Sequence, residues 1–206
     1  MRTWFITQAL LALVACGGQE IYVEVEGGPD PSLRFNTANK ILAYIDGKKL
    51  TMEGAAIPSH PNGIFENLNS GQATQCYHKV QMIPQANRIT INTQTGTLNG
   101  APNVGDVGTC DRSSKAADLS FDSTAVLIEN VRDNGACFDF TVTFPGFGQE
   151  GRGSIDAEGT TMVLELYFKD RAQGHRCAGG DVGAKTVTAA GVTFDGDARQ
   201  TYAITE

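Results

Sequence analysis

Residues Phe138-Asp139-Phe140-Thr141-Val142-Thr143-Phe144 put three phenylalanines and a valine on one side of an extended chain. An aspartate and two threonines fall on the other side. Period-two alternation suits a strand with one buried face, whereas a helix would scatter the four apolar side chains around its axis. The pattern returns in Thr161–Phe168, where Met162, Leu164, Leu166 and Phe168 form the inward set and Glu165 points outward. Val187 leads through Ala189-Ala190-Gly191 to Val192 and Phe194 as a tight hairpin, and Gln200, Tyr202 and Ile204 alternate in a closing strand. Further strands are expected at 49–53, 75–82, 88–92, 119–121 and 125–131, and segment 154–159 turns into the strand at 161–168. The glycine-rich run Gly148-Gln149-Glu150-Gly151-Arg152-Gly153 links two strands, opens no helix, and reads as a turn.

One helix is expected. Asn36 or Thr37 caps its start, Ile41, Leu42 and Ile45 share a face, and Gly47 suits its left-handed end. About ten short strands separated by Gly, Asn and Asp turns then indicate an all-β antiparallel domain. Barrel-like (lipocalin-like) closure and a sandwich both fit, and the early helix before a run of hairpins favours the barrel. Segments 58–72 and 99–115 are long connections, rich in Gly, Asn and Pro, of the kind that carries recognition or simply covers surface.

The N-terminus constrains location. Arg2 supplies a positive charge, residues 4–15 are mostly apolar, and Leu13-Val14-Ala15-Cys16 closes the segment. That apolar segment is roughly a dozen residues, too short for a span of about 20. The run resembles a bacterial lipobox, an aliphatic residue, a small or aliphatic residue, a small residue and then cysteine. The resemblance implies cleavage before Cys16, acylation of its sulfur by palmitate-like chains, and attachment of the mature protein to a membrane. Gly17, in place of the aspartate that retains such proteins in the inner membrane of enterobacteria, favours the outer membrane. The implied organisation is a signal peptide at 1–15, an acylated N-terminus and tether at 16–37, and a single β-rich domain at 38–206. Within the tether, Ile21, Val23 and Val25 alternate with polar residues, so a short docked strand is an equal reading.

Four cysteines follow the anchor: Cys76, Cys110, Cys137 and Cys177. In an exported chain an even number favours two disulfides. Three connectivities are open; neighbours along a meander favour Cys76–Cys110 with Cys137–Cys177. Zinc is the rival reading, but there is no Cys-x-x-Cys pair, and only His175-Arg176-Cys177 brings two ligand types together.

The chain carries a formal charge of −7, and Arg2 is the only charged residue before Cys16. Its acidity and dispersed charges disfavour nucleic acid as a partner. Catalytic motifs are missing: there is no Gly-x-Ser-x-Gly elbow, His-Glu-x-x-His helix or phosphate-cradling loop. Of the three histidines, His60 lies in a turn-forming segment, His78 is two residues from Cys76, and His175 sits in a loop. Asp195-Gly196-Asp197 lacks the rest of a calcium loop, and Asp156 and Glu158 flank a turn. No cofactor or metal site is expected. The sequence thus reads as a non-enzymatic, lipid-anchored envelope protein with a binding or structural role toward an envelope protein or surface polymer. A lipocalin-like carrier is the alternative, with Phe138, Phe140, Val142, Phe144, Leu164 and Leu166 around a small hydrophobic ligand. An envelope hydrolase is the third.

Overall fold

A computed structural model describes residues 33–54, 57, 77–99, 109–184, 186–189, 192–195 and 199–206, with the short strands β1 (Leu13–Val14) and β2 (Glu20–Ile21). The chain forms two compact units, Met1–Asp30 and Pro31–Glu206. In the first, β1 and β2 pair antiparallel. Apart from these two strands, the expected signal and tether before residue 33, Cys16 included, lie outside the described residues, as do Cys76, His60 and segment 58–72.

The second unit begins with α1 (Ala38–Ile45) and the strands β3 (Lys49–Glu53), β4 (Tyr77–Gln85) and β5 (Arg88–Thr95). There follow β6 (Thr97–Asn99), β7 (Thr109–Asp111), β8 (Ala117–Asp122) and β9 (Ala125–Arg132). Next come β10 (Cys137–Phe144), β11 (Phe147–Ile155) and β12 (Thr161–Gln173). The last are β13 (Val182–Ala184), β14 (Thr186–Ala189), β15 (Val192–Asp195) and β16 (Arg199–Thr205). The main sheet is antiparallel, in the order β8-β5-β4-β3-β16-β12-β11-β10-β9, with β13 beside β12. The hairpins β6–β7 and β14–β15 stand apart from that ladder.

The two outermost strands of this order, β8 and β9, are consecutive in the chain, with only Ser123 and Thr124 between them. The sheet has to curl until its ends meet at those two residues. Ser123 donates its N–H to Ile89 O at 2.9 Å on the β5 side, and Thr124 donates to Thr143 O at 2.7 Å on the β10 side. The Ser123 hydroxyl also accepts the Ile89 N–H at 2.8 Å. Beyond this junction β8 pairs only with β5 and β9 only with β10, so the result is a curled half-barrel. That decides against the sandwich.

Helix α1 lies against β9 and closes part of the core. Thr37 accepts the Lys40 N–H at 3.3 Å as N-cap, and Gly47 takes φ 74° after the helix. Ile41 and Ile45 are buried with Phe35. The Tyr44 hydroxyl donates to Gly159 O at 2.8 Å, and the Arg34 guanidinium lies 4.5 Å from the Tyr44 ring centre. Phe35 belongs to the core, within the compact unit Pro31–Glu206.

The glycine-rich turn expected at 148–153 is instead the middle of β11. The real turn is at Pro145-Gly146, between the paired Phe144 and Phe147. Register explains the error. Gly151 pairs with Phe140 and Gly153 with Phe138, so the inward glycines lie beneath the inward phenylalanines. A Cβ on Gly153 would strike the Phe138 ring and Leu164, and one on Gly151 would strike the Glu165 backbone. The Phe138 ring and Leu164 occupy the space that a Gly153 side chain would take, and the β12 backbone occupies that of Gly151. A second difference is β7, which pairs with β6 inside the expected long connection 99–115.

The β11–β12 turn is held by Asp156. Its carboxylate accepts the Thr160 N–H at 2.6 Å and the Thr160 hydroxyl at 2.6 Å. Burial pushes this carboxyl up, but hydrogen bonds from Thr160 and Thr161 outweigh it and leave the pKa below the ordinary value. A depressed folded-state pKa stabilises above the unfolded pKa and is lost as pH falls through the folded one. Asp156→Asn should therefore cost about 1 kcal/mol at pH 7. The gap between wild type and variant should shrink below about pH 4. Urea denaturation across that range checks it; a gap independent of pH contradicts it.

Candidate functional site

The half-barrel leaves an apolar cleft in its interior, on the side where β8 runs away from the junction. Strands β4 and β5 supply Tyr77, Met82, Ile89 and Ile91, while β10 and β12 supply Phe140, Val142, Phe144 and Leu166. Phe121 of β8 and Phe147 of β11 are the lining residues that are not buried, and they mark the mouth. Phe121, Phe144 and Phe147 form a chain of rings with centroids 5.9 and 4.8 Å apart. Free space amounts to about 40 Å³. That holds about three waters.

Four of the six residues expected to surround a hydrophobic ligand, Phe140, Val142, Phe144 and Leu166, line this cleft. Phe138 and Leu164 do not; both are fully buried in the packed core. Sequence reasoning missed the polar part of the cleft. Thr93, Gln149 and Gln200 are buried and line it too. The available signal was their place in the alternation: Thr93 follows Ile89 and Ile91 on the inward side of β5, and Gln200 precedes Tyr202 on β16.

The outer face of β10 and β11 carries a second built feature. Cys137 and Cys177 form a disulfide with Cα atoms 5.8 Å apart, which holds the loop 174–181 against the sheet. Beneath it Asp139 is 5 % exposed although it faces outward. Its carboxylate accepts the Cys177 N–H at 2.7 Å and the Asn130 side-chain amide at 2.7 Å. The buried Glu150 pairs with Arg176 at 2.7 Å, and Arg152 donates to the outward Glu165 at 2.7 Å. These carboxylates are engaged in holding the loop and the sheet face. Of the two expected disulfides this one is formed; Cys76 and the Cys110 side chain lie outside the described residues.

Among the described residues, His78 and His175 do not line the cleft. His78 Nδ1 lies 2.7 Å from Arg112 O, and because a carbonyl only accepts, that nitrogen carries the proton. His175 lies 3.9 Å from Asp181, with side chains 80 % and 62 % exposed. Among the described residues no cluster has the composition of a metal site, and no helix is long and apolar enough to cross a membrane. Comparison with protein families, curated proteins and solved structures finds no match for this chain.

Proposed function

We propose that this chain is an exported, non-enzymatic lipoprotein of the cell envelope, held on the membrane by acyl chains on Cys16, with the half-barrel as its binding domain. The outer membrane is the preferred location. The observation that carries the binding role is the apolar cleft with its aromatic mouth at the open edge of the sheet. The lipobox-like run supports the anchor, and the Cys137–Cys177 bridge suits an oxidising compartment. Two or three acyl chains make attachment lasting where one gives only marginal binding. The cleft serves as the contact point for a partner in the envelope, a protein or surface polymer being the broad class. A lipocalin-like carrier of a small hydrophobic ligand is the alternative, and the free space of about 40 Å³ limits what it could carry without widening. A hydrolase is weaker still, since neither His78 nor His175 meets a carboxylate inside a cleft.

Cys16→Ala should yield an unprocessed precursor or a protein that washes off membranes, and should abolish labelling by a clickable palmitate analogue. A processed, membrane-bound variant, or a wild-type chain that takes up no label, contradicts the anchor.

A further inference from the structure

Thr93 is a buried polar group for which the fold itself has no use. It is 3 % exposed, it lines the cleft, and its hydroxyl has no hydrogen-bond partner among the described residues. An unbonded buried hydroxyl is unfavourable, and valine would fill nearly the same volume without that cost. Gln149 and Gln200, 7 % and 5 % exposed, line the same cleft. Tyr202, which burial keeps protonated, donates to Gln200 Oε1 at 2.6 Å and so holds that amide in place. The interior therefore presents a small set of uncharged hydrogen-bonding groups inside apolar walls.

Those walls select the occupant. Among the described residues no lysine, arginine, histidine or carboxylate lines the cleft. A charged head group would lose its hydration there with nothing to pair it, so the occupant is neutral. Tyr77, Phe121, Phe140, Phe144 and Phe147 offer ring faces and edges, which favour an aromatic body. The small free space limits its size and requires the mouth to widen. Phe121 is placed for that: it is 37 % exposed and stands on β8, a strand paired on one side only, by β5.

Building on the reading of the half-barrel as a binding domain, we infer that the cleft takes a small neutral aromatic molecule with one hydrogen-bonding group, such as an aryl alcohol or aryl amide. Its polar group meets the Thr93 hydroxyl, and its ring lies among Phe121, Phe144 and Phe147.

The test uses the full chain carrying Cys16→Ala, with the methyl groups of Met82, Ile89 and Ile91 isotopically labelled for NMR. Benzyl alcohol, toluene and benzoate are titrated in turn. Benzyl alcohol should move these signals, and benzoate should bind at least about tenfold more weakly. Thr93→Val should weaken benzyl alcohol by about tenfold and leave toluene unchanged, while Thr93→Ser retains the alcohol. The valine variant should also melt at a higher temperature than its parent, which shows that it folds. If the methyl signals respond but benzoate binds as well as benzyl alcohol, or Thr93→Val leaves the alcohol unaffected, the ligand class is wrong and the binding domain stands. If none of the three probes moves a cleft methyl, the cleft takes no small aromatic molecule and this inference falls, whatever becomes of the contact with an envelope protein or polymer.

Discussion

Replacing Cys137 and Cys177 together by alanine should lower the unfolding free energy by about 4 kcal/mol in the chain-entropy account of cross-links. The bridge joins residues 40 apart in sequence, so it removes a long loop from the unfolded ensemble. Folded-state losses add to this. Without the bridge, loop 174–181 is held on the sheet by Arg176–Glu150 and the Cys177 N–H to Asp139. Lifting the loop leaves the Asp139 carboxylate short of a partner. Guanidinium denaturation should also give a steeper slope for the variant, because its unfolded chain exposes more surface. A loss below about 1 kcal/mol would mean that the bridge does little in solution.

Phe138→Ala should cost about 3–5 kcal/mol, the range for removing a fully buried aromatic ring. The reason is specific to this sheet. Phe138 lies across from Gly153 and fills the volume that a side chain there would take, so no neighbour can collapse into the gap. Gly153→Ala alone should cost about 1–3 kcal/mol through overpacking against that ring and Leu164. With Phe138→Ala already in place the new methyl enters free space, and the double variant should lose less than the sum of the two. Thermal or chemical denaturation of the four proteins closes the cycle. Strict additivity would show that ring and glycine do not share one volume.

Local chemistry made much of this fold legible. The alternation at 138–144 and 161–168 depends only on side chains two apart, and it correctly sorted Phe140, Val142, Leu166 and Glu165 between the faces. The limits of α1 and its Thr37 cap likewise follow from neighbouring residues. Gly148–Gly153 misled because a glycine run is locally ambiguous between turn and strand. Only the neighbouring strands resolve it: the Phe138 ring of β10 fills the space above Gly153, and the Glu165 backbone of β12 fills the space at Gly151.

The sequence by itself determined the fold class: strands with one apolar side and one capped helix. Tertiary structure decided what those strands enclose. Meeting β8 and β9 at Ser123–Thr124 fixes the curl of the sheet and opens the cleft. The covering of Asp139 by a loop from far along the chain, and the isolation of Thr93 among aromatic walls, are decided in the same way. These properties depend on cross-strand partners tens of residues away, and no local pattern encodes which partner a strand will find.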